Sequence, residues 1–112
     1  MKLRDFVVTD AIIADLKAKT KEEAIPEIID ALVEAGAVTT EQRDEFVSLI
    51  QDREKRATTG LGHGVATPHA KHKDIQKIKA AVAVSHHGVE FNALDRQPVF
   101  TVFLLLSPAE RP

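Results

Sequence analysis

This 112-residue chain contains no cysteine, no tryptophan and no tyrosine, and a single methionine. Without cysteine it forms no disulfide, offers no thiolate nucleophile and builds no cysteine-based zinc site. That composition fits a reducing compartment. Without tryptophan or tyrosine it lacks the large aromatic platforms on which bases stack. The net charge is −2, so the basic surface that a nucleic-acid partner needs is missing as well. Long hydrophobic runs are also missing. The longest, Val102 to Leu106, falls far short of the roughly 20 apolar residues of a membrane-spanning helix. The first residues, Met1-Lys2-Leu3-Arg4-Asp5, are too charged for the apolar part of a signal peptide. The expectation is a cytoplasmic protein that is not embedded in a membrane and has no nucleic-acid partner.

What is present is the balance of an ordinary globular domain, with 44% hydrophobic and 29% charged residues. The length suffices for one domain with one modest core. No repeat, low-complexity block or Ser/Gly linker divides it, so residues 1–112 read as a single domain.

A short strand is expected near Ile12 to Leu16. Thr20 is placed to cap a helix whose apolar face carries Ala24, Ile25, Ile28, Ile29, Leu32 and Val33. Gly36 would end it in a left-handed conformation. Pro26 lies beyond the first turn and removes one backbone bond, which predicts a local distortion or a late start. Thr39 and Gln42 have the spacing of a capping box. A second helix over about 40–55 would bring Phe46, Leu49, Ile50 and Arg53 close together on its surface, with Arg53 and Glu54 at its end.

Residues 78–85 read as a strand of small residues. Gly88 and residues 92–98 read as turns. Val99 to Leu106, apolar on both faces, reads as a central strand covered on two sides. Two helices, two strands and one early strand predict an α/β domain: a mixed sheet flanked by helices on both faces. With only Ser107-Pro108-Ala109-Glu110-Arg111-Pro112 after that strand, one sheet face is left short of cover. Missing C-terminal elements, or a second copy in a homodimer, would supply it.

The most informative segment is Thr58-Thr59-Gly60-Leu61-Gly62-His63-Gly64-Val65-Ala66-Thr67-Pro68-His69. Glycines at 60, 62 and 64 allow positive φ and close backbone approach to a ligand. Proline restricts the residue before the histidine and the turn itself. A held imidazole beside exposed backbone donors is suited to taking up a phosphoryl group. Neutral imidazole, with an unperturbed pKa of about 6.5, is a competent nucleophile near neutrality. Arg53 stands at the expected end of the second helix, just before this loop. Thr59 would add a hydroxyl donor, and the backbone around Gly60, Gly62 and Gly64 would form an anion-binding nest. No Lys-Ser/Thr follows the glycines, so this is not a nucleotide P-loop.

Blander readings stand beside these. His69 ends a turn, Arg53 is a cation at a helix C-terminus, and the glycines make a tight loop. His63 reads as a solvent-facing loop residue, and His86-His87 as surface at a strand end. Asp95 reads as a turn former. Lys71, Lys73, Lys77 and Lys79 form a basic stretch that is either a solvated face or a contact for an acidic partner. The spacing of His63, His69 and His72 does not match a helix-borne zinc motif, so neither a metal nor another cofactor is expected.

Arg53-Glu54 followed by the segment from Thr59 to His69 resembles the signature of phosphotransferase-system enzyme IIA domains of the fructose/mannitol class. That class includes the nitrogen-regulatory, PtsN-like proteins. Phe91-Asn92-Ala93-Leu94-Asp95-Arg96-Gln97-Pro98-Val99, leading into an apolar strand and Ser107-Pro108, is similar to the same family. The resemblance implies the type-2 enzyme IIA fold and a phosphotransferase chemistry. His69 matches the histidine that accepts phosphate from phospho-HPr. It then passes the group to a IIB component, or its phosphorylation state acts as the signal to a regulatory target. Arg53 matches an arginine close to that histidine. The regulatory role stands ahead of sugar transport, since the chain carries no fused IIB or HPr-like segment. Two departures are evident. Arg96 stands where the family commonly has glycine, and the chain stops before the family's second histidine. The competing reading is a binding module that keeps the fold without transferring phosphate. The presence of both His69 and Arg53 argues against it.

Overall fold

The computed structural model describes residues 7–109. The charged start, Met1 to Asp5, and the last three residues lie outside them. The longest apolar run is the strand β6, Val99–Pro108, and it is central. One edge pairs antiparallel with β5, Lys79–Val89, and β5 in turn pairs in parallel with β1, Val7–Ile13. The other edge is shared by two short parallel neighbours. These are β3 (Val65–Ala66), opposite Thr101 and Val102, and β4 (His69–His72), opposite Leu105 to Pro108. β2 (Gly60–Gly62) closes the sheet as the antiparallel partner of β3. The expected mixed sheet is present. β1 begins at Val7, before the predicted Ile12–Leu16 stretch, and pairs there with Ala80; the buried Leu16 leaves the strand but still donates its N–H to Val84 at 2.8 Å.

Helix α1 spans Lys21–Glu34 and α2 spans Arg43–Arg56, the latter entered through a 3-10 turn at Thr40–Gln42. The capping box is formed: the Gln42 N–H donates to Thr39 Oγ1 at 3.2 Å, and the Thr39 N–H to Gln42 Oε1 at 3.4 Å. α1 ends as predicted. Gly36 has φ 79°, its N–H donates to Val33, and the Ala37 N–H reaches back to Leu32, which satisfies carbonyls of the last turn. Thr20 occupies the N-cap position, but its side chain makes no capping bond. The exposed Lys21 N–H is taken instead by the Glu90 carbonyl at 3.0 Å.

Pro26 does not delay α1. The carbonyl it leaves without an intrahelical donor is that of Glu22, and Gln51 Nε2 of α2 donates to it at 3.2 Å. A sequence defect in one helix thus becomes a tie to the other. At the opposite end of the pair, the Arg43 guanidinium binds Asp30 at 2.8 Å, which holds its proton more tightly still.

Ile25, Ile28, Ile29 and Leu32 of α1, with Phe46 and Ile50 of α2, form one core with Ala81, Ala83, Val102, Leu104 and Leu106 of the sheet. Small residues on β5 let the helices approach it. Each large side chain so buried contributes roughly 1.5–3 kcal/mol. The opposite face carries Val82, Val84, Phe103 and Leu105, all half-buried, with Ile12 exposed. Helices were expected on both faces; among the described residues both lie on one.

Gly88, expected in a turn, lies inside β5. It sits where the β5–β6 register breaks between Val84 and Val89, with φ 91°. The bulge explains the glycine: a Cβ there would stand 2.8 Å from Pro98 Cβ. Gly88→Ala therefore combines a positive φ with a clash and is expected to destabilise the domain by more than about 1 kcal/mol. Thermal unfolding followed by circular dichroism checks this, and a melting temperature equal to wild type would refute it.

Candidate functional site

β4 begins directly after Pro68, and the Leu105 N–H donates to the Pro68 carbonyl at 3.0 Å. This fixes the strand's first residue, His69, against the centre of the sheet. Along β4 the side chains alternate, so half-buried His69 and exposed Lys71 share one face while buried Ala70 and His72 share the other. His69 Nδ1 lies 3.0 Å from the Thr67 carbonyl oxygen. A carbonyl only accepts, so Nδ1 carries the proton and Nε2 keeps the lone pair.

The ring opens on a cleft of about 290 Å³ between β4 and the last turns of α2. It is lined by Leu49, Asp52, Arg53, Arg56, His69, Ala70 and Lys71. Helical spacing brings Leu49, Arg53 and Arg56 onto one side of α2. Among the described residues Arg53, Arg56 and Lys71 make no salt bridge. Three cations therefore face the cleft against one acid, Asp52. The site can hold a multiply charged anion beside a nucleophilic nitrogen.

The structure brings Arg53 and His69 to this cleft as the sequence predicted. It does not bring Thr59, Gly60, Gly62 or Gly64 there. Thr59 is buried, and both its N–H (3.0 Å) and its hydroxyl donate to the Glu54 carboxylate. The glycines form the β2–β3 hairpin rather than an anion nest. The Gly60 N–H donates to Thr58 Oγ1 at 3.0 Å, and the His63 N–H to Asp95 at 3.2 Å. Turn chemistry takes up donors that were expected to face an anion.

His63 is exposed at the hairpin tip with φ 60°. Asp95 is the turn former predicted, accepting also from the Gln97 N–H at 3.0 Å. Arg96, in the position where the family commonly has glycine, adopts a left-handed φ of 62°, the conformation glycine favours. His72 points away from the cleft, with Nε2 2.9 Å from Glu45 and its ring 4.7 Å from that of Phe46.

Sequence reasoning missed Arg56, named Glu54 without giving it a role, and saw Lys71 only as one of several lysines. The signal was there for two of them: Arg56 is three residues along the helix face of Arg53, and Lys71 is two along the strand face of His69. Glu54 had none, since nothing local tells a buried glutamate from an exposed one.

Residues 5–112 match the family described as "Phosphoenolpyruvate-dependent sugar phosphotransferase system, EIIA 2". The chain is 41% identical over 90 residues to the "PTS system fructose-specific EIIA component" of Haloferax volcanii, covering 80% of this chain and 57% of that protein. It thus spans little more than half the length of that relative. Among solved structures it resembles the nitrogen regulatory protein IIA-Ntr of Neisseria meningitidis with a TM-score of 0.83. Sequence identity there is 27%, over 95% of this chain and 70% of that one. It also resembles, with a TM-score of 0.74 and 30% identity over 91% of this chain and 70% of that one, enzyme IIAMTL of Escherichia coli in its complex with phosphorylated enzyme IIBMTL. No described helix is long and apolar enough to cross a membrane. On the match over almost its whole length, the chain belongs to the type-2 EIIA family of the phosphoenolpyruvate-dependent sugar phosphotransferase system.

Proposed function

We propose that the chain is a protein-histidine phosphoryl carrier in which His69 Nε2 accepts a phosphoryl group from a phospho-HPr-type donor. The observation that carries this reading is the pairing of an oriented imidazole with an unneutralised cationic cleft. Nδ1–H is committed to the Thr67 carbonyl, which leaves Nε2 free, and His69 lines the same cleft as Arg53, Arg56 and Lys71.

In the transfer the Nε2–P bond forms as the donor's N–P bond breaks. Phosphoryl transfer asks for in-line placement and charge compensation rather than covalent help from the protein. Arg53 supplies a planar fork for two phosphoryl oxygens, and Arg56 and Lys71 add positive charge. The positive charge gained by the ring is stabilised at Nδ1–H by the Thr67 carbonyl. With a second phosphohistidine or a cysteine as exchange partner, the step needs neither metal nor nucleotide. The onward acceptor is a IIB component or a regulatory target. The first is favoured by the likeness to a protein solved with phosphorylated IIB, the second by the likeness to IIA-Ntr.

Incubation with phosphoenolpyruvate, enzyme I and HPr is expected to add one acid-labile phosphoryl group by intact mass. His69→Ala is expected to remain folded and gain none; a phosphorylated variant would overturn the assignment. Arg53→Ala is expected to keep the acceptor but slow transfer by about 10²-fold, the scale of losing one preorganised charge-stabilising group. Quenched-flow rates matching wild type would reduce Arg53 to a helix-end cation.

A further inference from the structure

Glu54 takes no part in the chemistry above, yet it is 3% exposed and sits in the last turn of α2. A carboxylate there is doubly unfavourable: it lies at the negative end of the helix dipole and is removed from water. Its partners account for its charge. Lys21 Nζ, itself largely buried, lies 3.5 Å away, and Thr59 donates both its N–H and its hydroxyl.

Thr59 then leads to the imidazole. Its carbonyl accepts the Thr67 N–H at 3.4 Å, and the Thr67 carbonyl accepts His69 Nδ1–H at 3.0 Å. From the residue beside Arg53 to the ring of His69, the links are Glu54, Thr59, Thr67 and His69. Arg53 and His69 stand on different elements, and their separation is held only if those elements are tied. Among the described residues, Glu54 makes the only hydrogen bonds from the last turn of α2 to this segment. The start of α2 is tied to the end of β4 in a similar way, by Glu45 and His72. The helix is thus tied to β4 directly at its start, and at its end through Thr59 and Thr67.

We infer that Glu54 is a positioning residue for phosphoryl transfer, acting through Thr59 and Thr67 to fix the orientation and tautomer of the His69 imidazole relative to Arg53. This rests on His69 being the phosphoryl acceptor.

The test compares the full chain with Glu54→Gln, Thr59→Val and Thr59→Ser. The valine keeps the shape and the N–H of Thr59 but removes its hydroxyl; the serine keeps the hydroxyl. Steady-state transfer from phospho-HPr is measured beside the ¹⁵N spectrum of the His69 ring. Thr59→Val and Glu54→Gln are expected to lower kcat about tenfold, the cost of a small misplacement of a reacting group, with KM within about twofold. Thr59→Ser is expected to stay within about twofold of wild type in both. In the spectrum the wild-type Nδ1–H form is expected to give way to a mixture of tautomers in the two slow variants. A wild-type kcat in Thr59→Val, a loss confined to KM, or a serine variant as slow as the valine one would overturn the proposal. If the wild-type chain takes up no phosphoryl group, the carrier reading fails. The spectra then decide positioning alone, and an unchanged tautomer in both variants overturns it.

Discussion

The site hangs on the divided edge of β6. One edge of that strand runs antiparallel along β5, while the other is split between β3 and β4. The break between them falls at Thr67-Pro68. Proline has no N–H to leave unpaired in the middle of a sheet, and its carbonyl takes the Leu105 N–H instead. The chain can therefore leave the sheet after Ala66 and re-enter at His69 without orphaning a buried donor. That step turns the Thr67 carbonyl toward the imidazole. The Pro-His pair is best understood as the solution to a pairing problem that also orients an imidazole.

The second half of the site belongs to α2, and burial explains how it comes to be there. Phe46 and Ile50 seat one side of the helix in the core. With that face committed, Leu49, Arg53 and Arg56 are carried round toward β4. The polar ties then set the fine position that apolar packing leaves soft: Gln51 to Glu22, Glu45 to His72, and Glu54 to Thr59. Hydrophobic burial is non-directional and fixes a helix only approximately, whereas charge-assisted hydrogen bonds carry both distance and angle.

Local signals were sufficient for many elements. The capping box at Thr39, the left-handed Gly36, the apolar face of α1 and the run that becomes β6 are all decided within a few residues, so their sequence reading and their structure agree. Gly88 and the glycines at 60, 62 and 64 were misread for a common reason. Glycine reports that a backbone position is special without reporting what makes it so. At Gly88 the cause is Pro98, which crosses close by. In the hairpin it is the demand of a tight turn, whose N–H groups go to Thr58 and Asp95.

By itself the sequence determined the two helices and the long strands β5 and β6, the family to which the chain belongs, and the two residues, His69 and Arg53, that meet at the cleft. Short-range periodicity and a specific motif carry that information. The tertiary structure alone decided that Thr59 faces Glu54 and not the cleft, that Arg56 and Lys71 join Arg53, and that His69 Nδ1 is held by the Thr67 carbonyl. Each of these depends on partners far apart along the chain or on different elements, and a hydrogen-bonding group commits itself only when its partner is brought within reach. Until then a buried glutamate and a solvated one look alike.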